Sequence, residues 1–534
     1  MTEVLVVGAG PVGLTMASEL ARHGVRAHIV DKLAAPLPWC RAIGVTPRTL
    51  EVFDTMGIAR RVIDAGLWLE GLRLTVDDHP PRDITIDLSD LPYSELGLRQ
   101  SETERILAEH LASFGVVVER GTTLVALTPD DDGLSVVLGH PDGRQEAARF
   151  AYVVGCDGAH SAVRHALGIA FEGEAFEMGF MLGEVTLDAG LPRGFALRAM
   201  KLRENDAPDM FIAIPLPEPG RYRVSSLASA EVGGPPASAH GLQTDRPGPS
   251  LDELQAVADR VVPTPVSLSD LSWSSFFRIS MRLAARYQDG RVFLAGDAAH
   301  VHPPTGGQGM NTGIQDAFNL AWKLARVVGG RAPASLLDSY EAERRPVGAD
   351  VIARTVDASR NLGRPGGEKP HRLADTQLLV SYRGGPLAAE AITEAIPESA
   401  PRAGDRAPPA EGLRRAHVGF PVRLADVLRG AEFVLLVWLA DNAEAAGLQE
   451  GAAQLRAAFG DEVRCVAITG PAVTTADIPG VAVYRDAAGA FAAAYAPTRG
   501  TAVLVRPDGY IGWQGRPWST EAVSGYLAGL LTRY

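Results

Sequence analysis

The sequence predicts an α/β protein in which a dinucleotide-type βαβ unit carries an inserted, mainly β unit and is followed by a separate small α/β unit. Three observations predict it. The chain opens strand, glycine turn, helix, strand; between about 176 and 278 it changes to short alternating or aromatic runs; and beyond 409 apolar strands alternate with Ala-rich helical segments. At 534 residues it exceeds one ordinary core, and 46% hydrophobic with 22% charged residues is a globular balance.

The opening elements read as a strand from Glu3 to Val7, a helix from about Val12 to Arg22 stopped by Gly24, and a strand from Val25 to Val30 ending on Asp31. A helix-forming segment, Ser101 to Phe114, leads through Gly115 to a strand from Val116 to Glu119. Hairpin-like stretches follow, with turns at Asp130-Asp131-Asp132-Gly133 and Pro141-Asp142-Gly143, before a strand from Phe150 to Val154. Met210 to Leu216, Arg221 to Leu227 and Leu271 to Ile279 are strands of the inserted unit, interrupted by the Pro/Gly-rich run Gly233 to Pro249. The first pattern resumes at Arg291 to Leu294 and enters a long helix near Gly313 to Val328. Pro397 to Pro409 reads as a linker. Phe433 to Trp438, Val463 to Ile468, Val481 to Tyr484 and Ala502 to Arg506 are the strands of the last unit. The expected units are 1–175, with a short excursion near 70–100 into the inserted unit, then 176–280, 281–396 and 397–534.

A net charge of −13 without basic runs argues against nucleic-acid binding, which needs clustered positive charge. The three cysteines, Cys40, Cys156 and Cys465, form no CxxC pair, so neither a disulfide framework nor a cysteine metal site is readable. No apolar run approaches a membrane span. A soluble cytoplasmic protein, monomer or homodimer, is expected.

In Gly8-Ala9-Gly10-Pro11-Val12-Gly13 the first glycine permits a tight turn, the second lets backbone approach a pyrophosphate, and the third lets helix and strand pack closely. Phosphates then sit at the helix N-terminus. Asp31, followed by Lys32, is placed to accept from a ribose hydroxyl. Two later segments point to FAD rather than NAD: Asp157-Gly158 after a strand, and Gly296-Asp297 at another strand end, where a carboxylate can meet the ribitol. Either aspartate alone would be an ordinary turn residue.

These segments resemble the class A flavoprotein monooxygenases, the family of p-hydroxybenzoate and phenol hydroxylases and of the aromatic polyketide hydroxylases. The resemblance covers roughly 2–180 and 270–350 through motifs and the rest through layout. It implies a Rossmann-like FAD-binding domain, an inserted β-sheet substrate domain and a C-terminal thioredoxin-like α/β domain. By the same resemblance Asp157 and Gly158 help bind FAD and a transient pyridine nucleotide, Asp297 holds ribitol, Arg41 meets the pyrophosphate and Gln100 contacts the flavin side. The loop Pro303-Pro304-Thr305-Gly306-Gly307-Gln308-Gly309-Met310-Asn311 matches the family's loop beside the isoalloxazine. Pro304, Gly307, Gly309, Met310 and Asn311 are thus candidates for flavin contact, and Pro304, Gly309, Met310 and Asn311 for catalysis, because amides at a helix N-terminus stabilise a reduced, anionic flavin.

One fingerprint, without a second GxGxxG, fits bound FAD and a visiting NAD(P)H, with NADPH favoured. The resemblance implies that O2 adds at the flavin C4a to give a hydroperoxide whose distal oxygen hydroxylates an aromatic ring of a polycyclic or polyketide-like phenol. Baeyer–Villiger insertion or antibiotic inactivation on the same scaffold, and an isoprenoid-type reductase, are the rival readings. Phenol hydroxylases carry an aspartate where this chain has Ile43, so the substrate-activating base is unassigned. Phe211, Tyr222, Trp273, Phe276 and Phe277 are pocket candidates. Asp316, Asn319, Trp322 and Lys323 are expected to brace the flavin loop. His300 and His302 lack a third ligand signal, so no metal is expected. The last unit reads Leu439-Ala440-Asp441-Asn442 where a thioredoxin carries its redox pair, which implies packing without thiol chemistry.

Overall fold

Val4–Val7 is apolar at every position because it is the inner strand of a parallel sheet covered on both faces. The computed structural model describes the chain apart from residues 1–2, 39–41, 131–132, 204–208, 228–240, 243–246, 304, 361–370, 475–476 and 534. In the six-stranded sheet, Val4–Val7 lies between Tyr152–Gly155 and Ala27–Asp31; Val292–Leu294 extends one side and Glu119–Arg120 the other, with Gln288–Asp289 antiparallel at the edge. The helix Pro11–Arg22 begins on Pro11, whose missing N–H costs nothing in the first turn. Against it packs the long helix Gln308–Val328.

Three expectations are corrected. Phe150 and Val154 belong to different strands: Gln145–Phe150 closes a three-stranded antiparallel sheet, and Tyr152–Gly155 enters the parallel one. The long helix starts at Gln308 rather than near Gly313; its glycines are helical because Gly313 packs where a Cβ would lie 2.9 Å from the Gly296 Cα. Pro397–Pro409 is no linker. Ala403 and Ala407 are buried, the Gly404 N–H donates to the Ile511 carbonyl at 2.7 Å, and the Ala407 N–H to Gly509 at 2.9 Å.

The nine-stranded sheet takes in Phe171–Asp188, Phe195–Lys201, Asp209–Pro215, Arg221–Leu227 and Ser267–Ala284, and is joined by Gly71–Val76 and Arg82–Thr85 from the 70–100 region. The helix Leu251–Val261 covers one face, opened by a capping box in which Ser250 and Glu253 bond reciprocally. Phe211, Tyr222 and Phe276 point to that helix and fill the core with Leu197, Val224 and Leu254. On the opposite face the registers align one cross-strand row: Leu74, Arg198, Ile212, Ser225, Leu182 and Ser275. Ile43, from the nucleotide-binding part, packs with Ile214 and Leu216 of this side, so it is the side turned toward that part.

The last sheet runs Ala389–Ile392, Ile511–Arg516, Ala502–Val505, Phe433–Leu439, Val463–Thr469, Ala482–Asp486, Leu413–Arg414. It is joined to the long helix by buried charge. Lys323 Nζ meets Glu343 at 2.8 Å, Arg506 Nη2 meets the same carboxylate at 3.0 Å, Arg506 also pairs with Asp508, and Trp322 Nε1 donates to Asp508 at 3.1 Å. Asn319, Trp322 and Lys323 therefore hold the C-terminal unit rather than the flavin loop, because they lie two and more turns beyond it.

Candidate active site

At the N-terminal turn Gly8 adopts φ +100, and a Cβ there would stand 2.3 Å from the Cys156 carbonyl oxygen; one on Gly13 would stand 1.9 Å from the Gly8 oxygen. Gly10 faces open space, and no side chain caps the helix it precedes. The turn thus presents helix amides to a space that suits a phosphate. Asp31 accepts the Ala9 N–H at 2.7 Å and the Leu33 N–H at 2.8 Å. It shapes the turn while keeping lone pairs for a ribose. Lys32 is exposed, and Gln100 spends its amide on Glu104 at 2.8 Å. Arg41 lies outside the described residues.

Asp157 accepts the Val163 N–H through Oδ2 at 3.2 Å, while its Oδ1 is buried without a partner. Burial raises this carboxyl from its usual range, opposed by hydrogen bonds from Ser161 and nearby amides. Gly158 follows at φ +80. Arg164 bonds the Ala298 carbonyl at 3.0 Å and the Ala159 carbonyl at 2.8 Å, tying the Asp157 segment to the Gly296 segment. Sequence reading gave Arg164 no role, although an arginine one turn into a short helix beside a glycine-rich strand end was its signal.

Gly296 turns at φ +62, and its N–H donates to Asp316 Oδ2 at 3.0 Å. Asp316 also meets His300 Nε2 at 2.7 Å and Arg344 Nε at 2.7 Å, all three fully buried. Burial alone would raise the Asp316 carboxyl; Arg344 and then His300 outweigh it and hold it low. Asp316 thus fixes the strand end that exposes Asp297. Arg344, a residue that sequence pattern does not single out, reaches on to the Thr312 carbonyl at 3.1 Å and Tyr382 at 2.9 Å.

Gly306 and Gly307 take successive positive φ values of +76 and +65, turning the chain into the uncapped start of the long helix. Gln308 Nε2 bonds the Gly306 carbonyl at 2.7 Å and the Asp375 carbonyl at 2.9 Å, leaving its Oε1 buried and unpartnered. Asn311 clamps the strand Gly44–Val45: Nδ2 donates to the Gly44 carbonyl at 2.9 Å, and Oδ1 accepts the Thr46 N–H at 3.1 Å. Met310 is half-buried and Gly309 approaches His302. Pro304 lies outside the described residues. Among the described residues no group of three metal-ligating side chains gathers around His300 and His302.

These features fit a long dinucleotide: a glycine cradle with open space, two helix starts without side-chain caps, carboxylates at three strand ends, and the orphaned Asp157 Oδ1 and Gln308 Oε1. Of the pocket aromatics, register puts Trp273 opposite Glu184 on the side of the large sheet turned toward the nucleotide-binding part. Phe211, Tyr222 and Phe276 are instead core residues beneath the helix, since alternate strand positions point to opposite faces. Phe277 is half-buried. In the C-terminal unit Asp441 pairs with Arg499 at 3.0 Å, and burial pushes the Cys465 thiol up to about 12. Among the described residues no helix is long and apolar enough to cross a membrane.

Residues 1–355 match the family model described as FAD binding domain, and residues 400–533 match the one described as aromatic-ring hydroxylase, C-terminal. A flavin-dependent monooxygenase of Mycobacteroides abscessus is 35% identical over 523 residues, covering 95% of this chain and 96% of that one. The 12-dehydrotetracycline 5-monooxygenase/anhydrotetracycline 6-monooxygenase of Streptomyces rimosus is 33% identical over 537 residues, covering 96% and 95%. The solved structure of a ternary complex of aklavinone-11 hydroxylase with FAD and aklavinone superimposes with a TM-score of 0.77 at 27% identity, covering 98% of each chain.

Proposed function

Because the chain belongs to the FAD-binding aromatic-ring hydroxylases and is an FAD-dependent aromatic monooxygenase, we propose that its substrate is a polycyclic, polyketide-like phenol. The observation that carries this reading is the row Leu74, Arg198, Ile212, Ser225, Leu182 and Ser275. Six strands at about 4.8 Å spacing give a face roughly 24 Å wide, far longer than one benzene ring. It alternates apolar and polar groups, as a fused ring system edged with hydroxyls requires. The tetracycline and aklavinone names of the relatives point the same way.

Bound FAD supplies the redox and oxygen-activating chemistry, with electrons from NAD(P)H, for which NADPH is our choice, and oxygen from O2, as is typical of the family. The chain's own residues bind and orient. The amides of the Pro11 helix start take the pyrophosphate, Asp31 the ribose and Asp297 the ribitol. Asp157 offers its free oxygen to FAD or the pyridine nucleotide. The amides at Gly309, Met310 and Asn311 face the flavin edge where negative charge develops on reduction. Residues 1–175 with 281–396 form the FAD unit in this reading, 176–280 the substrate unit, and 397–534 a brace.

The test is a screen of the purified yellow protein for NAD(P)H oxidation stimulated by aromatic compounds, with oxygen uptake and product mass followed. Fused-ring phenols should stimulate oxidation and gain one oxygen on a ring carbon. Stimulation by single-ring phenols alone would overturn the substrate class. A ring-expanded lactone would assign Baeyer–Villiger insertion instead.

A further inference from the structure

The candidate groups for FAD follow the strand order of the six-stranded sheet. From one side to the other its parallel strands are Val292–Leu294, Tyr152–Gly155, Val4–Val7, Ala27–Asp31 and Glu119–Arg120. At or just beyond their C-terminal ends stand Asp297, Asp157, the Gly8 turn, Asp31 and, on the last strand, Arg120. Ligands of open parallel sheets lie across those ends. Four steps of about 4.8 Å make a line roughly 19 Å long, the scale of a dinucleotide rather than a mononucleotide. The helix start beside the Gly8 turn suits the pyrophosphate, and Asp157 and Asp297 lie to one side of it. The adenosine half therefore runs to the other side, where Asp31 comes first. Base and 5′-phosphate leave a ribose from opposite ends, so the adenine lies beyond Asp31, and among the described residues the one strand of this sheet beyond Ala27–Asp31 is Glu119–Arg120.

Arg120 is the register partner of Asp31, and its Nη1 stands 3.8 Å from Asp31 Oδ2. That is too far for a hydrogen bond. Its side chain is only 21% exposed, yet among the described residues the guanidinium donates no hydrogen bond. More exposed arginines of this chain close on their carboxylates: Arg331 meets Glu462 at 2.8 Å, and Arg464 meets Glu432 at 2.7 Å. Asp31 is drawn the other way, because its Oδ2 takes the Ala9 N–H and its Oδ1 the Leu33 N–H. A planar cation with its donors unspent thus flanks the carboxylate assigned to the ribose. Guanidinium planes stack on aromatic faces, and a purine is such a face.

Building on the assignment of Asp31 to the ribose, we propose that Arg120 seats the adenine of FAD, its guanidinium plane against the base. It is a positioning residue for the cofactor and takes no part in the chemistry at the flavin. The pair divides the adenosine between them: the Asp31 carboxylate accepts from the ribose hydroxyls, and the Arg120 cation holds the ring. The 3.8 Å separation keeps the two from spending themselves on each other.

The test titrates flavin-stripped protein with FAD and with FMN, which lacks the adenosine. Arg120→Met should bind FAD about 3- to 30-fold more weakly, with FMN affinity and the melting temperature of the flavin-free protein unchanged. Arg120→Lys, which keeps the charge without the plane, should recover only part of the loss. Asp31→Asn should weaken FAD more than FMN. If Arg120→Met weakens FAD and FMN alike, or weakens neither while Asp31→Asn still lowers FAD affinity, the adenine assignment is overturned and the ribose assignment stands. If Arg120→Met leaves FAD affinity intact but raises the KM for NADPH and not that for NADH, the cation reads the 2′-phosphate of the visiting nucleotide, and the assignment is overturned in that way. FAD affinity indifferent to both substitutions would overturn the ribose assignment and this one with it.

Discussion

The two ends of the helix Gln308–Val328 bury polar groups in opposite ways. Toward its C-terminal end, Lys323, Glu343, Arg506 and Asp508 satisfy one another completely at below 2% exposure of their side chains. Toward its N-terminal end, Gln308 Oε1, His302 Nε2 and His300 Nδ1 are buried without partners, as is Asp157 Oδ1 after the strand Tyr152–Gly155. A polar cluster that closes on itself is a structural seam. One that leaves acceptors beside glycine turns and uncapped helix starts is shaped around something else.

The largest expected effect lies in the seam. Arg506→Met leaves Glu343 with Lys323 and the neutral Asn319 amide and takes from Asp508, among the described residues, its ion-pair partner. Removing one partner of a buried ionic group costs about 3–5 kcal/mol, far more than an exposed pair is worth. Urea denaturation should show that loss, with both the C-terminal unit and the flavin half affected because Glu343 and Lys323 belong to the latter. A loss below about 1 kcal/mol would mean that the seam is dispensable.

The same seam sets an acid limit. Burial would raise the Glu343 carboxyl, but Arg506 and then Lys323 hold it well below the usual carboxylate range. A carboxylate depressed in the folded state contributes fully above its unfolded pKa, and that contribution is lost as pH falls through the folded value. Stability should therefore decline below about pH 4.5, where an unfolded glutamate begins to take up protons. Glu343→Gln should flatten that decline in a melting-temperature series, at the cost of lower stability at neutral pH. An unchanged slope would place the acid sensitivity elsewhere.

At the open end the next effect is steric. Gly313→Ala would gain about 1 kcal/mol of helix propensity, but its Cβ would meet Val12 Cγ2 at 2.7 Å and the Gly296 backbone at 2.9 Å. Backbone cannot yield as a side-chain tip can, so overpacking of about 1–3 kcal/mol should win. Because Val12 and Gly296 lie in the two segments proposed to hold FAD, FAD content should fall along with the melting temperature. A stabilised variant that keeps its flavin would show that these segments have slack.

The same contrast explains what was legible in the sequence. The glycine turn, Asp157, Gly296-Asp297 and the Gly306–Asn311 run could be read because close backbone approach leaves a residue-type signature. Sequence places the start of the long helix late, because Gly309 and Gly313 look like breakers until their packing partners are known. Pro397–Pro409 looked like a linker because composition does not record that Ala403 and Ala407 pack under a sheet. Phe211, Tyr222 and Phe276 fail on parity: Phe211 and Ile212 are neighbours in sequence but face opposite sides, and only the registers say which side turns toward the nucleotide-binding part. Arg344 carries no signal as an isolated arginine, since Thr312, Asp316 and Tyr382 lie tens of residues away in the chain.

The smallest effect separates the two ends most sharply, because it should change sign for stability. Asp157→Asn keeps the shape of the side chain and its bond to Val163 but removes a charge whose Oδ1 has no partner. In the closed seam neutralising a carboxylate strips a cation of its counter-charge; here it relieves a buried charge whose pKa burial has already raised. The apo protein should thus melt no lower than the wild type. If that oxygen is kept for a hydroxyl or amide donor of FAD or the pyridine nucleotide, losing a charge-assisted hydrogen bond costs about 1.5–3 kcal/mol. Flavin titration or NADPH kinetics should register that as roughly a tenfold to 150-fold weaker dissociation constant or KM. A destabilised apo protein with unaltered affinity for both would make Asp157 one more member of the scaffold, and the contrast between the helix ends would then rest on Gln308 and the histidines alone.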